Sequence, residues 1–202
     1  MLQDQSVPSH TLELLKLISP RLSELGFHLA GGTALALRLG HRISVDLDFF
    51  KSGEFSPLEV MEEVEALTRA SSKMIQQSEY SVAFIHQDTK VELLRYDYPL
   101  LEPIDHLDGV SLVSLADKAA MKLSALAGRG SKKDFVDLAA LLEEVDLEQL
   151  LSWYEQKFPQ SESFVVMKSL TWFEDADAEP DPVFLKGQSW SEVKKTVLDA
   201  IR

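Results

Sequence analysis

A glycine pair followed by two alternating aspartates is the feature that most restricts how this chain can fold. Gly31-Gly32 precedes a short apolar stretch, and Asp46 and Asp48 follow it within a segment in which polar and apolar residues alternate, Ser44 to Phe50. Alternation with a period of two predicts a β-strand with one buried face and one face that carries both carboxylates. The residues expected on the buried face are Val45, Leu47 and Phe49.

The two aspartates indicate a cation site, because like charges held this close repel unless a cation lies between them. Hard divalent ions such as Mg²⁺ or Mn²⁺ bind carboxylate oxygens and complete their shell with phosphate oxygens. The Gly31-Gly32 turn allows close approach of a ligand, and the helix expected after it, Thr33 to Leu39, points its first N–H groups toward an anion. Metal at one end and triphosphate at the other predict a nucleotidyl-transfer site.

Composition restricts the class of protein. The chain has 202 residues, no cysteine and a net charge of −13, which excludes disulfides and argues against a surface built to grip duplex nucleic acid. No apolar run reaches the roughly 18 residues of a membrane span, and the amino terminus lacks a secretory signal, so we expect a cytoplasmic protein without membrane contact. The basic residues expected around the site are Arg38, His41, Arg42, Lys122, Arg129, Lys132 and Lys133.

Hydrophobic periodicity predicts an α+β fold in which a mixed sheet flanked by helices is followed by a helical bundle. The boundary is expected between a catalytic domain, 1–105, and a helical domain, 106–202. The Trp residues at 153, 172 and 190 are interpreted as core residues and not as a base-stacking platform. The expected helices are 11–25 (with a kink or break at Pro20), 33–39, 57–70, 113–127, 131–144, 147–157, 161–173 and 190–201, and the expected strands are 27–30, 44–50, 72–79, 81–86 and 89–96.

Further candidates lie outside the first motif. Glu92 alternates with apolar neighbours in the last strand and is a candidate third metal ligand or general base, although an exposed strand residue is the simpler explanation. Lys122 lies off the apolar stripe of its helix, where an ammonium could neutralise a triphosphate. Ser131 and Asp134 have the spacing of a capping box, so Asp137 is preferred to Asp134 as the residue that touches chemistry.

These motifs together resemble the AbiEii/AbiGii toxin branch of the polymerase-beta-like nucleotidyltransferases. The resemblance rests on residues 31–50, on Asp117 with Lys122, and on residues 129–138. It implies transfer of a nucleoside monophosphate from a nucleoside triphosphate to an acceptor such as tRNA, and an antitoxin as cognate partner. It implies three sets of residues: catalytic Asp46, Asp48, Glu92, Lys122 and Asp137; nucleotide-binding Gly31, Gly32, Thr33, Arg42, Ser44 and Asp134; and metal-binding Asp46, Asp48 and Glu92.

Three functions remain open on the sequence alone. The first is an active metal-dependent nucleotidyltransferase. The second is a catalytically silent relative that acts by binding a nucleotide or a partner protein, which the glutamate at position 92 favours because the resembled families more often carry aspartate there. The third is a transferase that acts on a cationic small molecule, which the negative net charge would attract.

Overall fold

A seven-stranded mixed sheet forms the framework of the amino-terminal half. The computed structural model describes all residues, 1–202. The strand order is β3-β4-β5-β2-β1-β7-β6, in which β2 runs parallel to β5 and β1 parallel to β7, while the remaining neighbours are antiparallel. The strands are β1 (His28–Leu29), β2 (Leu47–Lys51), β3 (Lys73–Gln77), β4 (Ser81–His86), β5 (Thr89–Arg95), β6 (Asp105–Leu107) and β7 (Val110–Leu112).

Helices cover one face of this sheet and form the carboxyl-terminal half. None of them is both long and apolar enough to cross a membrane. The helices are α1 (Ser9–Glu24), α2 (Gly31–Leu39), α3 (Pro57–Thr68), α4 (Leu115–Gly128), α5 (Lys132–Leu142), α6 (Leu147–Lys157), α7 (Ser163–Ser169), α8 (Glu174–Asp177) and α9 (Trp190–Ala200).

The alternation in β2 and β5 separates an apolar sheet face from a polar one. Leu47 and Phe49 of β2 and Leu93 of β5 are fully buried and pack with residues of α1 and α3 in one core cluster. The intervening residues Asp48 and Glu92 are directly paired across the parallel strands, so their side chains emerge together on the opposite face. That opposite face is turned toward the helical half.

A second apolar cluster holds the helical half together. It is built from α4, α5, α6, α7 and α9, and Leu35 of α2 belongs to it although α2 precedes β2 in the chain. Helix α2 contacts α4, α5 and β2, and it therefore lies between the two halves. The residues at its amino terminus are placed at the junction between sheet and helices.

The expected α+β fold, a mixed sheet with flanking helices, is confirmed, and two details of the first motif are different. Strand β2 begins at Leu47 and not at Ser44, so Val45 is 51% exposed instead of buried. The backbone before β2 is held by hydrogen bonds outside the sheet, among them Ser44 N to Ser6 O. Helix α2 begins at Gly31, so the glycine pair forms its first turn.

The boundary expected between residues 105 and 106 passes through a hairpin of the sheet. Strands β6 and β7 pair with each other, and β7 lies parallel to β1, with Leu29 opposite Leu112. These strands have three residues each, which is too short for an alternation to stand out in the sequence. The sheet half consequently extends to Leu112, and the helices that follow begin with α4.

The helical half differs from expectation in its later part. Helix α7 is shorter than the expected 161–173, and the acidic connector that follows contains the short helix α8. Trp172 is 56% exposed, so the interpretation of this residue as core is wrong, because the chain leaves the helix before it. Trp153 and Trp190 do pack against the second core cluster. Pro20 lies inside α1, which continues to Glu24.

A buried ion pair joins the loop after β5 to the helical half. The Lys157 ammonium of α6 lies 2.6 Å from the Asp117 carboxylate of α4, and the two side chains are 1% and 0% exposed. Asp117 also accepts hydrogen bonds from the backbone N–H of Leu101 and from the Ser114 hydroxyl. Lys157 donates in addition to the backbone oxygen of Pro99. The pair therefore fixes the loop that closes one end of the junction.

We expect Asp117→Ala to lower the free energy of unfolding by about 3–5 kcal/mol, because it leaves the Lys157 ammonium buried without a counter-charge. Chemical denaturation monitored by circular dichroism measures this loss. Asp199→Ala is the matched control, since it breaks the exposed Lys195–Asp199 pair and should leave the denaturation midpoint unchanged. Equal midpoints for the two variants would contradict the structural role of the buried pair.

Candidate active site

Two facing carboxylates form the centre of the polar sheet face. Asp48 and Glu92 are register partners on β2 and β5, and Glu92 accepts a hydrogen bond of 2.8 Å from Lys90. Burial raises the pKa of the Asp48 carboxyl, and the nearby charges of Glu92 and Asp46 raise it further. The side chains of Asp48, Glu92 and Asp46 are thus crowded, partly desolvated acids, and this arrangement favours a bound cation.

The segment before β2 positions Asp46. Thr33 Oγ1 in the first turns of α2 hydrogen bonds with Ser44 Oγ at 2.8 Å and donates to the backbone oxygen of Asp46. Thr33 is 1% exposed and Ser44 is 8% exposed. These hydroxyls hold the chain that carries Asp46 against α2, and Thr33 lies beneath the surface of the site.

The glycine pair is required by the close approach of two charged side chains. Gly31 has a φ of +65°, and a Cβ atom at this position would lie 2.4 Å from Oδ2 of Asp48. A Cβ atom on Gly32 would lie 2.4 Å from Nη2 of Arg42. Any larger residue at either position would displace a site side chain, so the pair shapes the site directly.

A fully buried aspartate gathers three cationic or potentially cationic side chains beneath the site. Asp137 accepts a bidentate hydrogen bond from Arg42, with Nε at 2.6 Å and Nη2 at 2.9 Å. His41 Nε2 and the Lys122 ammonium each lie 2.7 Å from its oxygens. Burial acts to raise the pKa of Asp137, but the charges of Lys122 and Arg42 outweigh it and hold the pKa well below the ordinary value.

Asp134 binds the same lysine from the other side. Its carboxylate lies 2.7 Å from the Lys122 ammonium and accepts two hydrogen bonds from Arg129. The expected capping box is absent, because the Ser131 hydroxyl donates to the Asp134 carboxylate instead of capping the helix. Despite its burial, hydrogen bonds from Arg129 and the charge of Lys122 lower the pKa of Asp134.

Two adjoining cavities of about 360 Å³ and 300 Å³ lie between the sheet and the helical half. The larger has an apolar end formed by Phe50, Leu94, Tyr96 and Met121. The smaller is polar and receives cations from several elements. The residues that line both cavities are Gly32, Asp48, Glu92, Lys122 and Arg129, and the cations added by the smaller are Arg42, Lys90 and Lys133.

The donor set fits a divalent cation. Asp46, Asp48 and Glu92 all line the smaller cavity, and all supply carboxylate oxygens, which are the ligands of hard cations. No three His, Asp or Glu side chains are already assembled at metal-binding distance. Oxygens from a bound phosphate would therefore have to complete the shell, as is usual for Mg²⁺.

The structure brings most of the sequence-predicted site residues to this cleft and leaves two beneath it. Asp137 and Thr33 are enclosed and line neither cavity, whereas Asp134, interpreted as a capping residue, lines the smaller one. The predicted residues that line the cleft are Gly31, Gly32, Arg42, Ser44, Asp46, Asp48, Glu92, Lys122 and Asp134.

Sequence reasoning missed Lys90, Lys118 and Tyr96. Lys118 is one turn before Lys122 on α4, and burial lowers its pKa to about 8, with Arg38 adding to the effect. Lys118 and Lys122 are both buried, which is uncommon for lysine, and their spacing of one helical turn could have marked this face of α4. Lys90 lies two residues before Glu92 on the same strand face and could have been found by alternation.

The sequence matches a known family over almost its whole length. The match covers residues 13–200, and the family is described as "Nucleotidyl transferase AbiEii toxin, Type IV TA system". The chain belongs to the AbiEii nucleotidyltransferase family. It is therefore a nucleotidyltransferase, and the resemblance seen in residues 31–50 and in the helical motifs is confirmed.

Relatives and solved structures agree with this placement. An uncharacterized protein from Aquifex aeolicus (strain VF5) is 38% identical over 159 aligned residues, and the match covers 76% of this chain and 76% of that protein. The fold is similar to JHP933 from Helicobacter pylori, with a TM-score of 0.64, 19% identity and coverage of 97% of this chain and 92% of that one. It is also similar to MenT4, a nucleotidyltransferase toxin from Mycobacterium tuberculosis, with a TM-score of 0.59, 18% identity and coverage of 93% and 79%.

We expect Asp48→Asn to raise the stability of the metal-free protein at neutral pH. A carboxyl whose pKa is raised on folding opposes folding once it ionises, so the advantage of the variant should grow as pH rises above the ordinary value of 3.8. Urea denaturation at several pH values measures the difference. A wild-type protein that is the more stable of the two at pH 7 would contradict the crowding of acids in the cleft.

We expect the opposite sign for Asp137→Asn. The pKa of this carboxyl is lowered on folding, so its contribution to stability is present above pH 3.8 and is lost as pH falls through the folded value. At pH 7 the variant should lose about 3–5 kcal/mol, because Lys122 and Arg42 remain buried with less counter-charge. The same urea series gives the result, and a loss that does not shrink in acid would refute the charge argument.

Proposed function

We propose that this chain is a divalent-metal-dependent enzyme that transfers a nucleoside monophosphate from a nucleoside triphosphate to a hydroxyl of an RNA acceptor such as tRNA. The observation that carries the proposal is the composition of the cleft: acids from the sheet form one wall, and cations anchored by α5 form the other. A triphosphate with its metal is bound by both signs of charge, and residues of both signs line the same cavity.

The cationic wall is suited to hold the triphosphate. Lys122 is fixed between Asp134 and Asp137, and Arg129 reaches into both cavities from the end of α4. The two negative charges of Asp134 and Asp137 balance only part of the positive charge on this wall. The cations are Lys122, Arg42, Arg129 and Lys133, and together they leave the wall positively charged toward the cleft. The apolar end near Phe50 and Tyr96 offers a place for the base of the same nucleotide.

The acidic wall is suited to the transfer itself. An acceptor hydroxyl attacks the α-phosphorus, the bond from that phosphorus to the bridging oxygen breaks, and pyrophosphate leaves. Glu92 is placed to take the hydroxyl proton, because its carboxylate faces the cleft beside Asp48. A divalent metal held by Asp46 and Asp48 would supply charge neutralisation at the phosphate oxygens when bound.

The fixed lysine stabilises the leaving group. Lys122 does not have to be ordered during the reaction, because two carboxylates already hold its ammonium at 2.7 Å each. Charge that accumulates on the departing pyrophosphate then meets a preorganised cation. Asp137 acts through Lys122 and Arg42 and is a positioning residue, whereas the sequence suggested direct participation.

The wider biological role follows from the family. The family description places its members in toxin–antitoxin systems, which supports a cognate antitoxin as partner of this chain. MenT4, which shares the fold, is itself described as a nucleotidyltransferase toxin. An RNA acceptor is compatible with the net charge of −13 because the cations are concentrated at the cleft.

We expect Glu92→Gln to lower the rate of transfer about 10²–10⁴-fold, which is the usual contribution of a positioned base. The apparent affinity for the nucleotide should change much less, since glutamine keeps the size of the side chain. The measurement is incorporation of each labelled nucleoside triphosphate into total RNA in the presence of Mg²⁺, with pyrophosphate release as a second readout.

Asp88→Asn is the matched control, because Asp88 is an exposed acid in the turn between β4 and β5. It should transfer at the wild-type rate. A thermal-shift series provides an independent check: Mg²⁺ and nucleotide together should raise the melting temperature more than the sum of the two separate shifts. Full activity of Glu92→Gln, or the absence of synergy with all four triphosphates, would refute the proposed mechanism.

A further inference from the structure

A third cavity of about 510 Å³ adjoins the active-site cleft. It lies between the carboxyl-terminal end of α4 and the segment formed by α7 and the residues after it. Arg129 lines this cavity and both cavities of the cleft, so the three cavities share one residue. A molecule bound in the third cavity would therefore lie next to a residue that also lines the cleft.

The third cavity is lined by large apolar side chains that the fold leaves uncovered. Phe164 is 73% exposed, Val165 is 48% exposed and Trp172 is 56% exposed. Other aromatic side chains of the same half, such as Phe135 and Phe173, pack against each other inside it. Exposed aromatic residues that cluster around a concavity are typical of an interaction site.

Two cations line the same cavity as these aromatic rings. The Arg129 side chain is 62% exposed even though it binds Asp134, and Lys168 on α7 is exposed and forms no salt bridge. Asp175 is the one acidic residue of the lining. Flat apolar rings beside one unpaired cation, Lys168, and one exposed guanidinium, Arg129, match a ligand that has flat bases and anionic phosphates. Each stacked base contributes substantially to the binding of single strands.

We propose that the cavity lined by Trp172, Phe164, Arg129 and Lys168 binds the single-stranded end of the RNA acceptor and directs its hydroxyl toward Glu92. This inference rests on the proposed function, since it names the part of the chain that holds the acceptor. Trp172 and Phe164 stack on bases of the strand. Arg129 and Lys168 contact its phosphates, and Arg129 links the acceptor to the triphosphate side of the cleft.

A nucleic acid fits this surface better than a protein partner. The surface is a concavity and not a flat patch, and it shares Arg129 with the cleft, where an acceptor must arrive but a regulatory protein need not. The two cations are local exceptions on a chain whose net charge is −13. A partner protein would gain little from such a small basic patch, whereas a phosphate backbone requires it.

The test compares Trp172→Ala and Trp172→Phe with the wild-type chain and with Tyr80→Ala. Tyr80 is 49% exposed, precedes β4 and lines none of the three cavities, so it is a matched exposed aromatic control. Transfer of labelled nucleotide to total RNA is measured over a range of RNA concentrations. We expect Trp172→Ala to raise the KM for RNA about tenfold, Trp172→Phe to restore most of the loss, and Tyr80→Ala to have no effect.

A second readout separates this inference from the proposed function. A single-stranded oligoribonucleotide should quench the fluorescence of wild-type protein, and the quenching should be largely lost in Trp172→Phe, because Trp172 is the exposed member of the three tryptophans. This measurement requires no transfer. If wild-type protein transfers nothing to RNA while the quenching persists, the proposed function fails and the binding surface stands.

Several outcomes would overturn the surface itself. One is an unchanged KM for RNA in Trp172→Ala. Another is a loss, in Trp172→Ala, of the thermal stabilisation by Mg²⁺ and nucleotide that is as large as the loss of RNA binding. That result would show a structural role for Trp172. A third is the absence of oligoribonucleotide quenching together with a change of oligomeric state in Trp172→Ala, which would assign the surface to a second protein chain.

Discussion

The negative charge of Asp137 is the constraint on which the geometry of the cleft depends. It is fully buried, and its oxygens are taken up by Arg42 from the segment after α2, by His41 beside it, and by Lys122 from α4. A buried carboxylate of this kind is tolerated only if its partners stay in place, so it fixes three separate parts of the chain relative to one another. The interactions lie beneath the cleft, where they position cations without occupying the space a nucleotide needs.

The two walls of the cleft differ in their electrostatic character. On the sheet wall, burial and the neighbouring charges of Glu92 and Asp46 raise the pKa of Asp48, so the ionised carboxylate opposes folding. On the helical wall acids and cations are paired, and the pKa values of Asp134 and Asp137 are lowered. One wall therefore presents crowded acids, and the other presents cations that buried acids hold in place.

The glycine pair allows charged side chains of both walls to approach the backbone closely. Gly31 and Gly32 leave room for Asp48 and Arg42, one from each wall, at the point where the walls meet. The same residues begin α2, whose Leu35 is buried in the core of the helical half. Helix α2 thereby connects the core of the helical half to strand β2. Arg129 of the same cationic wall also lines a third cavity, whose rim carries the exposed aromatic residues Phe164 and Trp172.

The sequence by itself determined the mixed sheet, the position of the acids on β2 and β5, and the family, because a two-residue alternation and a glycine-rich turn are local properties. The sequence pattern predicted that Val45 and Trp172 are core residues, but both are exposed. The prediction failed because the ends of strands and helices depend on hydrogen bonds to distant residues. Only the tertiary structure decided which side chains Asp134 and Asp137 contact. Their partners Lys122 and Arg42 come from other helices and segments, and no spacing along the chain reveals which buried charge meets which. Pairing between distant segments is a property of the packed chain, and it alone distinguishes a helix cap from a partner of Lys122.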